Sequence, residues 1–313
     1  MEYRKSFRIM LVVALSILAV TLGLNYVIDP YNVNQTFDLG MRKEIISYRG
    51  NYRLYKMQAF KNNPCTNIYL GDSRMDGLKV AKVEAASGER WFNFAYGGGT
   101  AYEIVDTFWY AAKQAQLKKV VIGINFNLYN GSNRFNLTQE AMTTLGNPLK
   151  YYFSYTTLRM SAANLLYKCA GINLYAEKPA MDKTAFWQVQ LGKSTEGFYR
   201  NWYHPDDLQQ ELEKISDYCR DQGIELVFVF PPTHVDLQER VADFGLTEDY
   251  RNYKQEIRQL GWKVYDFDVP SALTQDAELY KDPYHADELV KDKVIETIWI
   301  PQVNRKHLAR QCI

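Results

Sequence analysis

The chain has 313 residues, 47% of them hydrophobic and 23% charged, with a formal net charge of +1. That length and apolar content suffice for one large domain or two modest ones. A near-neutral balance with no basic run outside the extreme ends removes the electrostatic ground for nucleic-acid binding. Four cysteines, Cys65, Cys169, Cys219 and Cys312, form no Cys-x-x-Cys pair and have no companion histidine at ligand spacing, so no metal site is expected.

Arg4, Lys5 and Arg8 precede an uncharged run, IMLVVALSILAVTLGLNYVI, from Ile9 to Ile28. About 20 apolar residues are needed to cross a bilayer as a helix, and the basic flank predicts a cytoplasmic N-terminus. A cleaved signal peptide has a similar apolar centre. The lack of a good small-x-small cleavage site before Asp29, and of a lipoprotein cysteine, favours an uncleaved signal-anchor. The rest of the chain is then expected outside the cytoplasmic membrane. The expected boundaries are a cytoplasmic tip and anchor over 1–28, a connector with an amphipathic helix over 29–66, an α/β domain over 67–302 and a tail over 303–313.

Short apolar runs follow: NIYLGDS from Asn67, WFNFAY from Trp91, VVIGINF from Val120, ELVFVF from Glu225 and KVYDF from Lys263. Near-continuous apolar strands suit a parallel sheet buried on both faces. Helical patterns over 101–116, 206–222, 247–260 and 286–300 separate or follow them, which predicts an open, three-layer α/β fold. Cys219 falls in register with Leu208, Leu212 and Ile215 and reads as a buried apolar position. Residues 128–205 are too long for a simple crossover and read as an inserted, mostly helical cap.

In such sheets ligands collect at the carboxyl ends of the strands. The first strand delivers Gly71-Asp72-Ser73. The second delivers Gly97-Gly98-Gly99, and the third Asn125 and Asn127. Asp282 and His285 precede the last helix. Serine is a poor nucleophile without a base in hydrogen-bond reach. His285 supplies the base and Asp282 the carboxylate that orients it. Backbone N–H groups of Ser73 and of the turn at Gly98, with an amide from Asn125 or Asn127, are candidate donors to an oxyanion. Arg74, His234 and Trp202 are candidate substrate contacts, with loop or cap packing as the plainer alternative for the last two. YGGGTA lacks the lysine of a P-loop and is not a dinucleotide fingerprint, so no cofactor is expected.

These blocks resemble the SGNH (GDSL-type) hydrolase superfamily, with Gly71-Asp72-Ser73, the glycine turn, Gly123-Ile124-Asn125 and Asp282-Pro283-Tyr284-His285 in corresponding order. The third block departs from the family pattern at Phe126, where Asp is usual. The resemblance implies a flavodoxin-like SGNH fold with Ser73, His285 and Asp282 as catalytic residues. The anchor, the FPPTH strand end (230–234) and the mid-chain insert are more loosely similar to alginate O-acetyltransferase-like proteins and to the D-alanyl transfer protein of teichoic-acid modification. That likeness implies an acyl (acetyl) transferase or esterase acting on a cell-surface glycan, with a polytopic membrane acyltransferase as donor partner. A glycan-binding or assembly protein without turnover, and a membrane-associated lipase, are the alternatives.

Overall fold

The computed structural model describes residues 2–177 and 181–300, so the expected tail lies outside the described residues. The chain forms two compact units, Met1–Pro64 with Leu137–Pro179 and Cys65–Asn136 with Ala180–Ile313. The stretch expected as one insert over 128–205 is thus shared between them. Its middle belongs with the N-terminal segment, and its two ends belong with the sheet.

In the second unit the described residues form a sheet of β1 (Asn67–Leu70), β2 (Phe92–Asn93), β3 (Lys119–Gly123), β4 (Glu225–Phe230) and β5 (Lys263–Asp266). All neighbours are parallel, in the order β2-β1-β3-β4-β5. This is the flavodoxin-like order, in which the chain changes direction across the sheet between β1 and β3 and leaves a crevice at their carboxyl ends. The second strand is shorter than the run Trp91–Tyr96, pairing only Phe92 and Asn93 with β1.

One face of the sheet packs Tyr69, Val121, Val227 and Val229 against Val83, Val294, Ile295 and Trp299. The latter come from helices Val80–Ser87 and Glu288–Trp299. Helices Ala101–Gln114 and Asp206–Asp221 cover the other face, burying Phe108, Leu208, Leu212, Ile215 and Cys219. Burial pushes the Cys219 thiol up to about 12, which keeps it protonated and inert. Among the described residues Cys65 and Cys169 are likewise free.

The final helix starts two residues later than its sequence pattern, at Glu288, with Asp287 as its cap. Residues 280–286 instead form a small antiparallel hairpin of β6 (Tyr280–Asp282) and β7 (His285–Ala286).

The first unit begins with helix Glu2–Ile28. Its segment Tyr3–Ile28 is long and apolar enough to cross a membrane and fits a single-pass anchor. Helices Lys43–Gly50, Tyr52–Asn62, Thr138–Gly146, Pro148–Phe153 and Tyr155–Ala170 complete the unit.

Candidate active site

The nucleophile's turn is built on glycine. Gly71, just past β1, has φ +153°, and a Cβ there would lie 2.4 Å from Met75 Cγ. A Cβ on Gly123, at the end of β3, would lie 2.2 Å from the same atom. Met75 therefore wedges between two adjacent strand ends that have no side chains of their own. This lets the single helical turn Ser73–Asp76 start directly above the crevice. Asp72 caps that turn by accepting the Arg74 N–H at 2.9 Å. The Ser73 N–H, at the first position of the turn, has no acceptor among the described residues.

The β6–β7 hairpin brings the other two groups. Ser73 Oγ lies 2.7 Å from His285 Nε2, and His285 Nδ1 lies 2.9 and 2.8 Å from the two Asp282 oxygens. A carboxylate beside Nδ1 holds the ring N–H there and leaves Nε2 as acceptor for the serine proton. The Asp282 carboxylate is buried and also accepts the Tyr284 N–H at 2.9 Å. The His234 N–H donates to the Pro283 carbonyl at 2.9 Å, pinning the hairpin turn.

Arg74 is not a solvent-facing greeter of substrate. Its guanidinium is buried and ion-paired with Asp72. The same Nη2 donates to Asn125 Oδ1 at 2.5 Å and to Asn127 Oδ1 at 2.7 Å. Burial opposes charge on this guanidinium, but Asp72 more than offsets it and the pKa is raised. The Asn127 carbonyl is held by Arg74, its amide nitrogen has no hydrogen-bond partner among the described residues, and Asn127 lines the Ser73 cavity. Asn125 does not line that cavity. It borders a smaller internal space that Asn127 also borders, and its Nδ2 is buried without a partner among the described residues.

Two cavities meet at Ser73, Arg74 and His285. One, of about 350 Å³, is walled by Gly98, Asn127, Asn133, Phe135, Phe198 and Tyr284. Gly98 has φ +62°. Its N–H has no acceptor among the described residues, whereas the next two N–H groups are bonded to Tyr96 and Glu103. The other, of about 250 Å³, has an apolar lining of Met75, Leu78, Pro231, Pro232 and Val294, with Lys281 and Lys291 also on its wall. A further cavity of about 250 Å³ opens at the amino ends of the strands beside Trp91, Lys119 and Trp299, and no serine–histidine pair lines it.

Two expected substrate contacts lie elsewhere. His234 is buried, caps helix Val235–Asp243 by accepting the Asp236 N–H, and packs on Trp187 and Tyr280. Trp202 stacks on Phe126 at 5.0 Å and donates Nε1–H to the Tyr129 carbonyl at 2.9 Å. Phe198, four residues before Trp202, does line the cavity. Tyr284, between the two triad positions, also reaches it, and its hydroxyl is buried without a partner among the described residues. Nothing in the sequence beyond its place inside Asp-x-x-His marks it.

No protein-family model matches the chain, and no curated protein does. Among solved structures, a candidate acylhydrolase from Bacteroides fragilis aligns with 83% of this chain and 98% of its own, at 12% identity and a TM-score of 0.42. A GDSL-like lipase from Bacteroides thetaiotaomicron aligns over 83% and 99%, at 10% identity and a TM-score of 0.41. A candidate lipolytic protein of the G-D-S-L family from Desulfitobacterium hafniense aligns over 74% and 97%, at 12% identity and a TM-score of 0.38. At such identities the chemistry is read from this chain's own side chains.

Proposed function

We propose that this chain is a membrane-anchored serine acyl-transfer enzyme of the SGNH (GDSL-type) hydrolase superfamily, moving a short acyl group, acetyl foremost, to a glycan hydroxyl or to water. The observation that carries this reading is the unbroken relay Ser73–His285–Asp282, at 2.7 and 2.8 Å, on a cavity wall. Ser73 Oγ attacks the donor carbonyl while His285 Nε2 takes its proton, and Asp282 stabilises the resulting imidazolium. Negative charge on the former carbonyl oxygen meets the Ser73 N–H, the Gly98 N–H and the Asn127 amide. His285 returns the proton to the leaving group and then deprotonates the acceptor, which attacks the acyl-serine and frees the enzyme.

The two cavities give the site room for two substrates. The smaller, about 250 Å³, mixes Met75, Leu78 and Val294 with Lys281, Asp282 and Lys291 and has space for a short acyl group. The larger sets Phe135, Phe198 and Tyr284 beside Asn127 and Asn133, flat faces and polar groups of the kind that can hold a sugar ring. A lipase would call for a broad apolar channel. A binding protein that had lost turnover would call for a sealed Ser73 or a His285 turned from it. The basic residues before the anchor favour an extracytoplasmic sheet unit, which would then need an acyl donor there, and a polytopic membrane acyltransferase is the partner we propose.

The test is turnover of p-nitrophenyl acetate and p-nitrophenyl decanoate by the full chain in detergent, with and without a soluble oligosaccharide. Ser73-dependent turnover of acetate over decanoate, with acetylated sugar appearing among the products, is the expected result. A preference for decanoate would mean a lipase. No Ser73-dependent turnover of either ester would remove the enzymatic reading.

A further inference from the structure

The anchor helix is exposed from Tyr3 to Val20, yet its last turns are not bare. Asn25, Ile28 and Asp29 are buried. Asn25 Nδ2 donates to the Tyr152 carbonyl at 2.7 Å, and Asn25 Oδ1 accepts from Ser161 at 2.8 Å. Asp29 accepts the Tyr151 hydroxyl at 2.8 Å and also the N–H groups of Val33, Asn34 and Gln35. Helix Pro148–Phe153 and the start of helix Tyr155–Ala170 are therefore fixed beside residues 25–29 of the anchor.

That fixes their depth if the anchor spans a bilayer. At 1.5 Å per residue the 20 uncharged residues 9–28 cover about 30 Å, the thickness of the hydrocarbon core. Residues 25–29 then stand at the far boundary, where acyl chains give way to headgroups. Besides Asn147, Lys150 and Thr156, large apolar and aromatic side chains are exposed at that level. Leu149 is 69% exposed, Tyr155 75% and Phe153 41%. Tyr26 and Phe37, also exposed, pack edge to face at 6.1 Å, and Tyr26 lies 6.0 Å from Tyr152. Lys150 stands on the same short helix, long enough to reach headgroup phosphates.

We propose that helix Pro148–Phe153 and Tyr155 are a second membrane contact, lying in the bilayer interface with Leu149 and Phe153 in the acyl boundary and Tyr155 at headgroup level. The inference rests on the anchor reading and is independent of the chemistry at Ser73. Lipid is the occupant because the patch is continuous with a helix that is itself lipid-clad. Its aromatic-rich composition with a flanking lysine is that of an interfacial segment. A water-facing patch of this kind would be a standing liability for aggregation. The contact would fix the anchor-bearing unit against the membrane surface instead of leaving it on a swivel.

The experiment is nitroxide scanning of the full chain in phosphatidylcholine vesicles, with exposed Cys169 and the tail's Cys312 replaced by serine. Single labels are placed through Leu149→Cys and Phe153→Cys, with Ile17→Cys as a mid-bilayer control and Lys281→Cys as an aqueous one. Collision rates with oxygen and with a water-soluble nickel chelate give the depth. The expected result is that labels at 149 and 153 favour oxygen severalfold over the aqueous control and lie shallower than 17. Labels at 149 and 153 that behave as 281 does, while 17 is lipid-buried, overturn the proposal. Exclusion of both reagents at 149 and 153 means protein packing there, and also overturns it. A water-accessible 17 removes the anchor and this contact together.

Discussion

The sheet unit builds its core from runs of neighbouring residues, such as Ile68, Tyr69 and Leu70 in β1 or Leu226 to Phe230 in β4, each buried within one short strand. The anchor-bearing unit is tied by polar side chains from far apart in the sequence. Asn25 meets Ser161 across 136 positions, Asp29 meets Tyr151 across 122, and Ser47 meets Asn164 across 117. Apolar burial is non-directional and tolerates exchange of similar side chains. A buried hydrogen bond is specific, and losing one partner leaves the other unsatisfied. Nearly all the proposed chemistry belongs to the first kind of scaffold, yet its active groups are held by the second kind of contact, on a local scale.

The largest expected effect separates chemistry from folding within the sheet unit. Ser73→Ala should lower kcat by about 10⁴-fold or more, while the melting temperature stays near that of the parent, since the hydroxyl is on a cavity wall. Assay and thermal melt on one preparation check both. A variant that melted far lower would mean Ser73 is structural. Next comes Asn127→Ala, for which loss of one oxyanion donor predicts a kcat lower by about 10²–10³-fold with KM little changed. Asn125→Ala should be milder in kcat, because Asn125 does not line the Ser73 cavity.

Arg74→Ala should cost about 3–5 kcal/mol of stability, the range for breaking a buried ion pair and leaving its partner charged. Chemical denaturation would measure it. Arg74→Lys keeps the charge but cannot reach Asp72 and both asparagines at once, so it should recover part of the stability and little of the kcat. In the other unit, Asn25→Ala leaves the Ser161 hydroxyl and the Tyr152 carbonyl without that partner. It should destabilise by about 1–3 kcal/mol without altering ester hydrolysis. A fall in kcat at unchanged ester affinity would contradict that expectation.

The smallest effect is on pH dependence. Burial opposes charge on His204, but Glu256 and Asp206 more than offset it and hold its pKa above the ordinary value. A raised folded-state pKa contributes stability that is full below the unfolded value, about 6.5, and fades as pH rises through the folded one. His204→Gln should flatten that small decline in melting temperature.

The same contrast explains what could be read from the chain before its structure. The strands were legible because continuous apolar runs between turn residues are local signals. Gly71-Asp72-Ser73 and Asp282-x-x-His285 were legible because their spacing is short. The choice between Asn125 and Asn127 was not, since Arg74 binds both and only the fold puts Asn127 on the wall of the Ser73 cavity. Trp202 and His234 looked like ligand contacts by residue type, but each finds a protein partner that only the fold brings near. The division of 128–205 was hidden for the same reason: the contacts that draw Leu137–Pro179 to the N-terminal segment are long-range ones, polar pairs such as Asn25 with Ser161 and ring contacts such as Tyr31 with Tyr151, which leave no periodicity. The β6–β7 hairpin was too short to register as strands.

The central claim is that Ser73 is an activated nucleophile. The direct measurement is mass-spectrometric mapping of the folded protein after exposure to a fluorophosphonate, which phosphonylates serines made reactive by a neighbouring base. A single adduct on Ser73, nearly absent in His285→Ala, is the predicted result. A folded protein that takes no adduct, or takes it on another residue while Ser73 stays free, would contradict the account.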